Sequence, residues 1–241
     1  MSLITLRVMT SSDSPLPRVL RLLWQPDPAP RRSRGLTREA IVAAAVELAD
    51  TDGLAALSMA RLAERLGCGT MSLYRHVANK DELVTFMLAT GPGSPPPPPE
   101  GADWRAALED WAHELWGVYH RHPWILQAAS AGLPADPGQL AWLDAGLATL
   151  TGTALTERDK LTAIIAVLIF TRGSAALAVE NRDVVHSDYP ALLRRLVTPA
   201  RFPALAAAIA AGALDQPDDD PLSDFHSGLE QLLDGIAAKA R

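Results

Sequence analysis

Residues 58–80 read SMARLAERLGCGTMSLYRHVANK, and this stretch decides the fold. Ser58 is a good helix N-cap. Met59, Leu62, Ala63 and Leu66 follow it at the three-and-four spacing of one helix face. Gly67 is a stop signal. The pattern predicts a further short helix from about Gly69 to Val77, with Leu73 and Val77, four apart, on its buried side. Two short helices joined by the turn Leu66-Gly67-Cys68-Gly69 make a minimal helix-turn-helix. Thr70, Met71, Ser72, Tyr74, Arg75 and His76 stand around the face that the core does not need. Arg reaches guanine in a bidentate way, Thr and Met touch a thymine methyl, and Ser, Tyr and His bond phosphate oxygens. Lys80 sits beside the free N–H groups that open the next helix, a phosphate clamp. The expectation is a helix that lies in the major groove of double-stranded DNA.

Upstream, Thr37 caps a first helix whose Ile41, Ala44, Ala45, Leu48 and Ala49 share a face, and Asp52-Gly53 ends it. Downstream, Asn79 caps a fourth helix with Leu83, Val84, Phe86, Met87 and Leu88 on its buried side. Together these define a DNA-binding domain at 36–90. Residues 1–35 carry Pro15, Pro17, Pro26, Pro28 and Pro30, which forbid one continuous helix. They read as a flexible arm with a brief apolar turn at Val19–Trp24 and a basic cluster at Arg31–Arg34, either a minor-groove contact or a solvated tail. Residues 91–102 contain the run Pro95–Pro99 and read as a semi-rigid linker; a ligand for a proline-binding module is the other reading of that run.

Residues 103–241 form the second domain. Trp104, Leu108, Trp111, Leu115, Val118 and Tyr119 step by three and four, and His122-Pro123 breaks that helix. Helices are expected at Trp124–Ala131, around Leu140, Leu143, Leu147 and Leu150, at Tyr189–Leu196 and at Phe202–Ala211. Thr156 and Asp159 open a long helix as a capping box with Asp in place of Glu. That helix is apolar on nearly all sides from Leu161 to Val179, so it is buried or lies at an interface. Ser223 is expected to cap a last helix striped by Phe225, Leu229, Leu232, Leu233 and Ile236.

Few aromatics, many Ala and Leu, and scarce β-branched runs favour an all-α protein. The net charge of -6 conceals an asymmetry. Residues 1–82 hold 11 Lys+Arg against 9 Asp+Glu, and residues 83–241 hold 11 against 19, so only the N-terminal part suits a polyanion. Cys68 is the single cysteine, which excludes an intrachain disulfide and fits a reducing cytoplasm. No stretch reaches about 18 uncharged apolar residues, and no secretion signal is recognisable; no membrane partner is expected.

The stretch LTREAIVAAAVELADTDGLAALSMARLAERLGCGTMSLYRHVANKDELV resembles the DNA-binding region of the TetR family of bacterial transcriptional repressors. The resemblance spans about 50 residues, 37–85. It lies in the Leu-Ser entry to the second helix, the Leu-Gly turn, Leu-Tyr-x-His-Val and Asn-Lys. It implies a three-helix head joined by a fourth helix to a helical body, with Thr70, Met71, Tyr74, Arg75, His76 and Lys80 at DNA-contacting positions. Tetracycline repressors have Arg and Trp where this chain has Ala60 and Arg75, so a different operator is implied. The second domain is similar to the tetracycline-repressor-type C-terminal domain at Tyr119-x-x-His122-Pro123-Trp124, Phe170-Thr171-Arg172-Gly173 and Phe225-His226-Ser227-Gly228-Leu229-Glu230. That similarity implies a homodimer through the helices near 157–180 and 223–238, a near-palindromic operator, and release by a small-molecule effector. Tetracycline repressors hold a magnesium–drug complex partly through a His just after the fourth helix. That place here is the proline stretch, without His, so tetracycline is not the expected inducer.

Five of the six Trp fall within Trp104–Trp142, which suggests either a roomy site for a flat ligand or a bundle core. Candidate ligand contacts are Trp104, Trp111, His113, Trp116, His120, Gln127, Trp142 and Arg172, with Asp144 as a further polar group. His120 and His122 point about 100° apart per residue step and share no face, whereas His113 and His120 can. No metal site and no cofactor are expected, and no nucleophile–base pair stands out. The alternative is a helical small-molecule-binding protein or enzyme without DNA binding. An activator role stays open.

Overall fold

Thr37 turns the chain into its first long helix by accepting a hydrogen bond from the Ala40 N–H at 3.2 Å. The same device recurs at Ser58, whose hydroxyl accepts from Arg61 N, and at Asn79, whose side chain accepts from Glu82 N at 2.8 Å. Each cap satisfies a backbone donor that the helix leaves free. The computed structural model describes residues 16–25, 35–97, 101, 103–128, 135–180, 189–215 and 221–240. Among these the regular structure is helical throughout.

The helices are α1 (Arg18–Leu23), α2 (Arg38–Asp52), α3 (Met59–Arg65), α4 (Thr70–Tyr74), α5 (Lys80–Thr90), α6 (Trp104–Arg121), α7 (Trp124–Ala128), α8 (Pro137–Thr149), α9 (Glu157–Glu180), α10 (Tyr189–Leu196), α11 (Pro203–Ala210) and α12 (Pro221–Lys239). A single 3-10 turn, Leu54–Ala56, links α2 to α3. α2 packs on α3 and α5, and α3 packs on α4; α6, α8 and α9 pack on one another, with α12 against α9. α5 runs from the first group to the second, touching α1, α2, α7 and α8.

Several boundaries differ from the sequence expectation. Within the stretch read as an arm, residues 18–23 form α1, because the prolines flank this segment without interrupting it. Val19, Leu22 and Leu23 pack against the core, Arg18 pairs with Glu82 of α5, and Trp24 Nε1 donates to the Ala135 carbonyl at 3.1 Å. Arg31–Arg34 and Pro98–Pro99 lie outside the described residues. α4 is shorter than Gly69–Val77: after Tyr74 the chain closes with His76 and Val77 N–H both donating to the Leu73 carbonyl. α7 begins at Trp124 as expected, and residues 129–131 of the expected helix lie outside the described residues. In α8 the Leu stripe is half-buried; the buried side is Trp142, Gly146 and Thr149, with Leu150 closing the helix. Ser223 is exposed inside the first turn of α12, which begins at Pro221, so it is not the cap. At Thr156 the forward bond of the expected capping box forms, the Asp159 N–H donating to the Thr156 hydroxyl at 3.2 Å, while the Asp159 carboxylate accepts from that hydroxyl at 2.7 Å.

Two glycines allow close approach. The Phe170 ring of α9 lies where a Cβ on Gly228 of α12 would be, 2.4 Å away, and it stacks on Phe225 at 5.8 Å. A Cβ on Gly138 would meet the Ala89 carbonyl oxygen at 2.0 Å, so α8 abuts the end of α5 backbone to backbone.

Candidate nucleic-acid interface

The turn between α3 and α4 is fixed by backbone chemistry. Gly67 takes φ +63°, and Cys68 N donates to Ala63 O at 3.0 Å while Gly67 N donates to Glu64 O at 3.1 Å. This closure needs a residue that tolerates positive φ, which Gly does at no steric cost. α4 then starts at Gly69 without a side-chain cap, and its hold on the core comes from Leu73 and Val77, both 0% exposed. That anchoring points the remaining side chains away. Met71 is 75% exposed and Tyr74 46%, far more than such large side chains keep in a settled core. Thr70 and Arg75 are exposed, and Ser72 is half-buried.

Charge separates Arg75 from the other cations of this region. Arg61 pairs with Asp52 at 2.8 Å, Arg65 with Glu47 at 3.0 Å, and Arg38 lies over the Phe86 ring at 4.9 Å. Arg75 meets only the Ser72 hydroxyl, at 3.2 Å, which steadies the guanidinium and leaves it without a carboxylate among the described residues. Lys80 differs from expectation: it is half-buried, and its ammonium donates to the Leu54 carbonyl at 3.4 Å, so it is not a free clamp. Its remaining N–H groups are still available. His76 is half-buried and lies within electrostatic reach of Glu39. The Glu39 carboxyl is held below its ordinary range mainly by its own backbone N–H, then by Thr37, Arg38 and His76, against the opposing effect of burial.

One carboxylate joins this head to the body. Asp50 of α2 accepts at Oδ1 from Trp124 Nε1 at 2.7 Å and from His122 Nδ1 at 2.8 Å. A carboxylate only accepts, so the His122 proton sits on Nδ1. The Trp124 ring also abuts the Gly91 backbone at the end of α5, where an added Cβ would come within 2.8 Å.

The eight residues expected to bind a ligand do not form one site. Trp111 and His113 line a cleft of about 240 Å³ between α6, α8 and Pro96–Pro97, with Asp110, Glu114 and Thr149. Trp142 is buried beside Trp111, accepting its indole N–H at the carbonyl and donating its own to the Gly93 carbonyl, both at 3.0 Å. Trp116 lies toward α12, where it stacks on Phe225 at 4.4 Å, and the His120 ring of α6 packs tilted against it at 4.6 Å. Arg172 donates to the Leu126 carbonyl at 3.1 Å, Trp104 is half-buried against the core, and Gln127 is exposed on α7. Four of the five Trp of the cluster, Trp111, Trp116, Trp124 and Trp142, are thus buried in the bundle core, and the indole N–H groups of Trp111, Trp124 and Trp142 find backbone or carboxylate acceptors. Burial pushes the Tyr119 hydroxyl up to about 12, and Arg172 pulls the other way. His113 donates from Nδ1 to the Glu109 carbonyl at 2.8 Å, and its Nε2 faces His226 Nε2. A larger cavity, about 670 Å³, lies elsewhere, between α1, α2 and α5. Among the described residues no group of three or more His, Cys, Asp or Glu is placed to hold a metal ion.

Two family models match this chain: "Bacterial regulatory proteins, tetR family" over residues 41–85, and "Tetracyclin repressor-like, C-terminal domain" over residues 96–240. The chain belongs to the TetR family. It is similar to the HTH-type transcriptional repressor DrrR1 of Streptomyces coeruleorubidus, at 34% identity covering 94% of this chain and 87% of the relative. It is also similar to the class D tetracycline repressor protein of Escherichia coli, at 29% identity covering 83% of this chain and 89% of the relative. The solved structure of apo ActR from Streptomyces coelicolor superposes with a TM-score of 0.73 at 27% identity, covering 86% of this chain and 98% of that one. The complex of ActR with actinorhodin gives the same TM-score at 25% identity and the same coverages. This TetR-family chain is therefore a DNA-binding transcriptional regulator with a helix-turn-helix head and a helical C-terminal domain.

Sequence reasoning missed Asp50, Glu82 and the Phe170–Gly228 contact. Asp50 directly follows the buried Leu48 and Ala49 near the end of α2, and nothing local marks its partners 72 and 74 positions away. Gly228, three residues after Phe225 in an amphipathic helix, was the one available signal.

Proposed function

We propose that this regulator is a repressor that binds a near-palindromic operator as a homodimer and is released when a small molecule binds its C-terminal domain. Residues 36–90 serve as the head, 91–102 as the linker and 103–241 as the body. Thr70, Met71, Ser72, Tyr74, Arg75, His76 and Lys80 are the proposed DNA contacts. The observation that carries the reading is α4 itself: two fully buried anchors hold it, and Arg75 is left without a carboxylate. Dimerisation through α9 and α12 is supported by an outward apolar stripe on α9, where Ile169 and Leu177 are each 63% exposed. α9 is also long and apolar enough to cross a bilayer by length and composition. A partner helix accounts for the same surface in a DNA-binding protein working in the cytoplasm.

Two-fold symmetry sets the recognition helices to meet successive major grooves about 34–36 Å apart. An effector that favours a splayed state spoils this spacing, and a hundredfold loss of operator affinity requires about 2.7 kcal/mol of coupling. α5, with the Asp50–Trp124 contact beside it, is the structural route for that coupling. The similarity to ActR, solved with actinorhodin, supports the effector half of the proposal.

Selection of bound sequences from random DNA tests it. The wild type should enrich a two-fold motif, with affinity falling steeply as salt rises. Arg75→Ala should change the preferred bases, while Lys80→Ala should weaken all sites alike. An unstructured selection, or an Arg75→Ala profile identical to wild type, would refute the assignment of α4.

A further inference from the structure

We infer, on the two-fold operator reading above, that α1 is a splint across the joint between head and body, and that Arg18 and Trp24 are positioning residues that set which half-site spacing the dimer accepts.

The joint is α5, which passes from the head to the body. Glu82 lies in its first turn, and Ala89 near its other end abuts Gly138 of α8 backbone to backbone. α1 meets α5 in the same order along both helices. Arg18, at the surface, pairs with the buried Glu82 carboxylate, and Leu22 and Leu23 stand with Phe86, Thr90 and Gly91 around one cavity. Trp24 then crosses to the body, its indole N–H donating to the Ala135 carbonyl at 3.1 Å. That acceptor is held in place, because the next residue, Asp136, is buried and caps α8 by accepting from the Gln139 N–H at 2.9 Å.

α1 belongs to this joint rather than to the core of the head. It packs on α5, and the cavity of about 670 Å³ lies between it and Val42 and Val46 of α2. Val19, Leu22 and Leu23 are only half-buried. A helix of six residues is too short to persist unaided, so its contacts hold it in place. The two polar ones are at its two ends, and each grips a different domain. Tilting the head on the body changes the span from Glu82 to Ala135. A helical turn of fixed length follows that change only by releasing one end. Release at Arg18 strands a buried carboxylate, whereas release at Trp24 gives up one hydrogen bond, so the Trp24 end lets go first.

One base pair added between two half-sites moves one of them by about 3.4 Å and turns it by about 35°. Loose joints let the two heads follow that displacement. Splinted joints resist it, and the resistance reads out as a preference for one spacing.

The test uses the full-length protein and the operator selected as above, in its selected form and with one base pair inserted between the half-sites. The quantity read is the ratio of the two affinities. The wild type should prefer the selected spacing by at least about thirtyfold. Trp24→Phe, which keeps the ring and removes the donor, should narrow the ratio about fivefold. Arg18→Ala should narrow it as well, and Arg18→Lys, which keeps the charge, should restore it. These variants leave Arg31–Arg34 in the chain. A wild type that binds both spacings equally, or variants as selective as the wild type, would overturn the proposal. So would equal losses at both spacings, since destabilisation or a lost DNA contact produces that pattern. Spin labels on the exposed Met71 position of the two heads, introduced as Met71→Cys with Cys68→Ser, read the joint without DNA. The head-to-head distance distribution should widen when Arg18→Ala and Trp24→Phe are combined, and an unchanged width would refute the splint. A wild type that enriches no two-fold motif breaks the operator reading instead, and the distance measurement still decides the role of α1.

Discussion

The head and the body of this regulator solve different packing problems. In the head, short helices are closed by side-chain caps at Thr37, Ser58 and Asn79, and a fully buried set including Ile41, Leu62, Leu73, Val77 and Leu83 fills the centre. What stays exposed there is one short helix with Met71, Tyr74 and Arg75 outward. In the body the longest helix, α9, buries only Ile164, Val167, Thr171 and Ala175, and leaves Leu161, Ile165, Ile169 and Leu177 outside. The head is therefore complete within one chain and exposes residues that suit a polyanion. The body exposes apolar surface that suits another protein surface. The proposed homodimer on a near-palindromic operator uses both surfaces.

The most severe way to break this comparison is at α9. Ile165→Glu with Ile169→Glu should abolish the dimer in sedimentation velocity and remove operator retention, while the head stays folded by circular dichroism. A variant that stayed dimeric would move the interface elsewhere. In the head, Leu73→Ala removes a fully buried anchor and should cost about 2–5 kcal/mol in a denaturant titration. Met71→Ala, two residues away on the outward side and exposed, should stay within about 0.5 kcal/mol on the same titration. Equal losses would mean that α4 is not anchored as described. The smallest effect concerns Asp159, whose carboxyl is held below its ordinary value first by the hydrogen bond from Lys239, then by Thr156. A depressed carboxylate contributes stability above its unfolded value and loses it as pH falls through the folded one. Lys239→Ala should move the Asp159 titration upward, toward the ordinary carboxylate value, as followed by NMR.

Much of the head was legible because its signals are local. Ser58, Gly67 and Asn79 act within a few residues of themselves, and a four-residue spacing gave Leu73 and Val77 as anchors. The body was less legible because its apolar residues exceed what one chain buries. The Leu140, Leu143 and Leu147 stripe looked like the core side of α8. The structure instead buries Trp142 and Gly146, since Gly146 is where the Trp111 ring can sit against the helix. Likewise the eight ligand candidates were chosen by residue type, but helix rotation sends Trp116, His120 and His113 toward α12 and Trp111 to the cleft, which His113 also borders.

The sequence by itself determined the helix-turn-helix, its caps and its outward residues, because helix ends and periodicity are short-range properties of the chain. Only the tertiary structure decided that Asp50 ties α2 to Trp124, that Lys80 turns to the Leu54 carbonyl, and that Pro96 and Pro97 cover a cleft with an acidic rim. Those contacts join residues 26 to 74 positions apart or elements from separate helices, and no local pattern encodes which distant partner a polar group will meet.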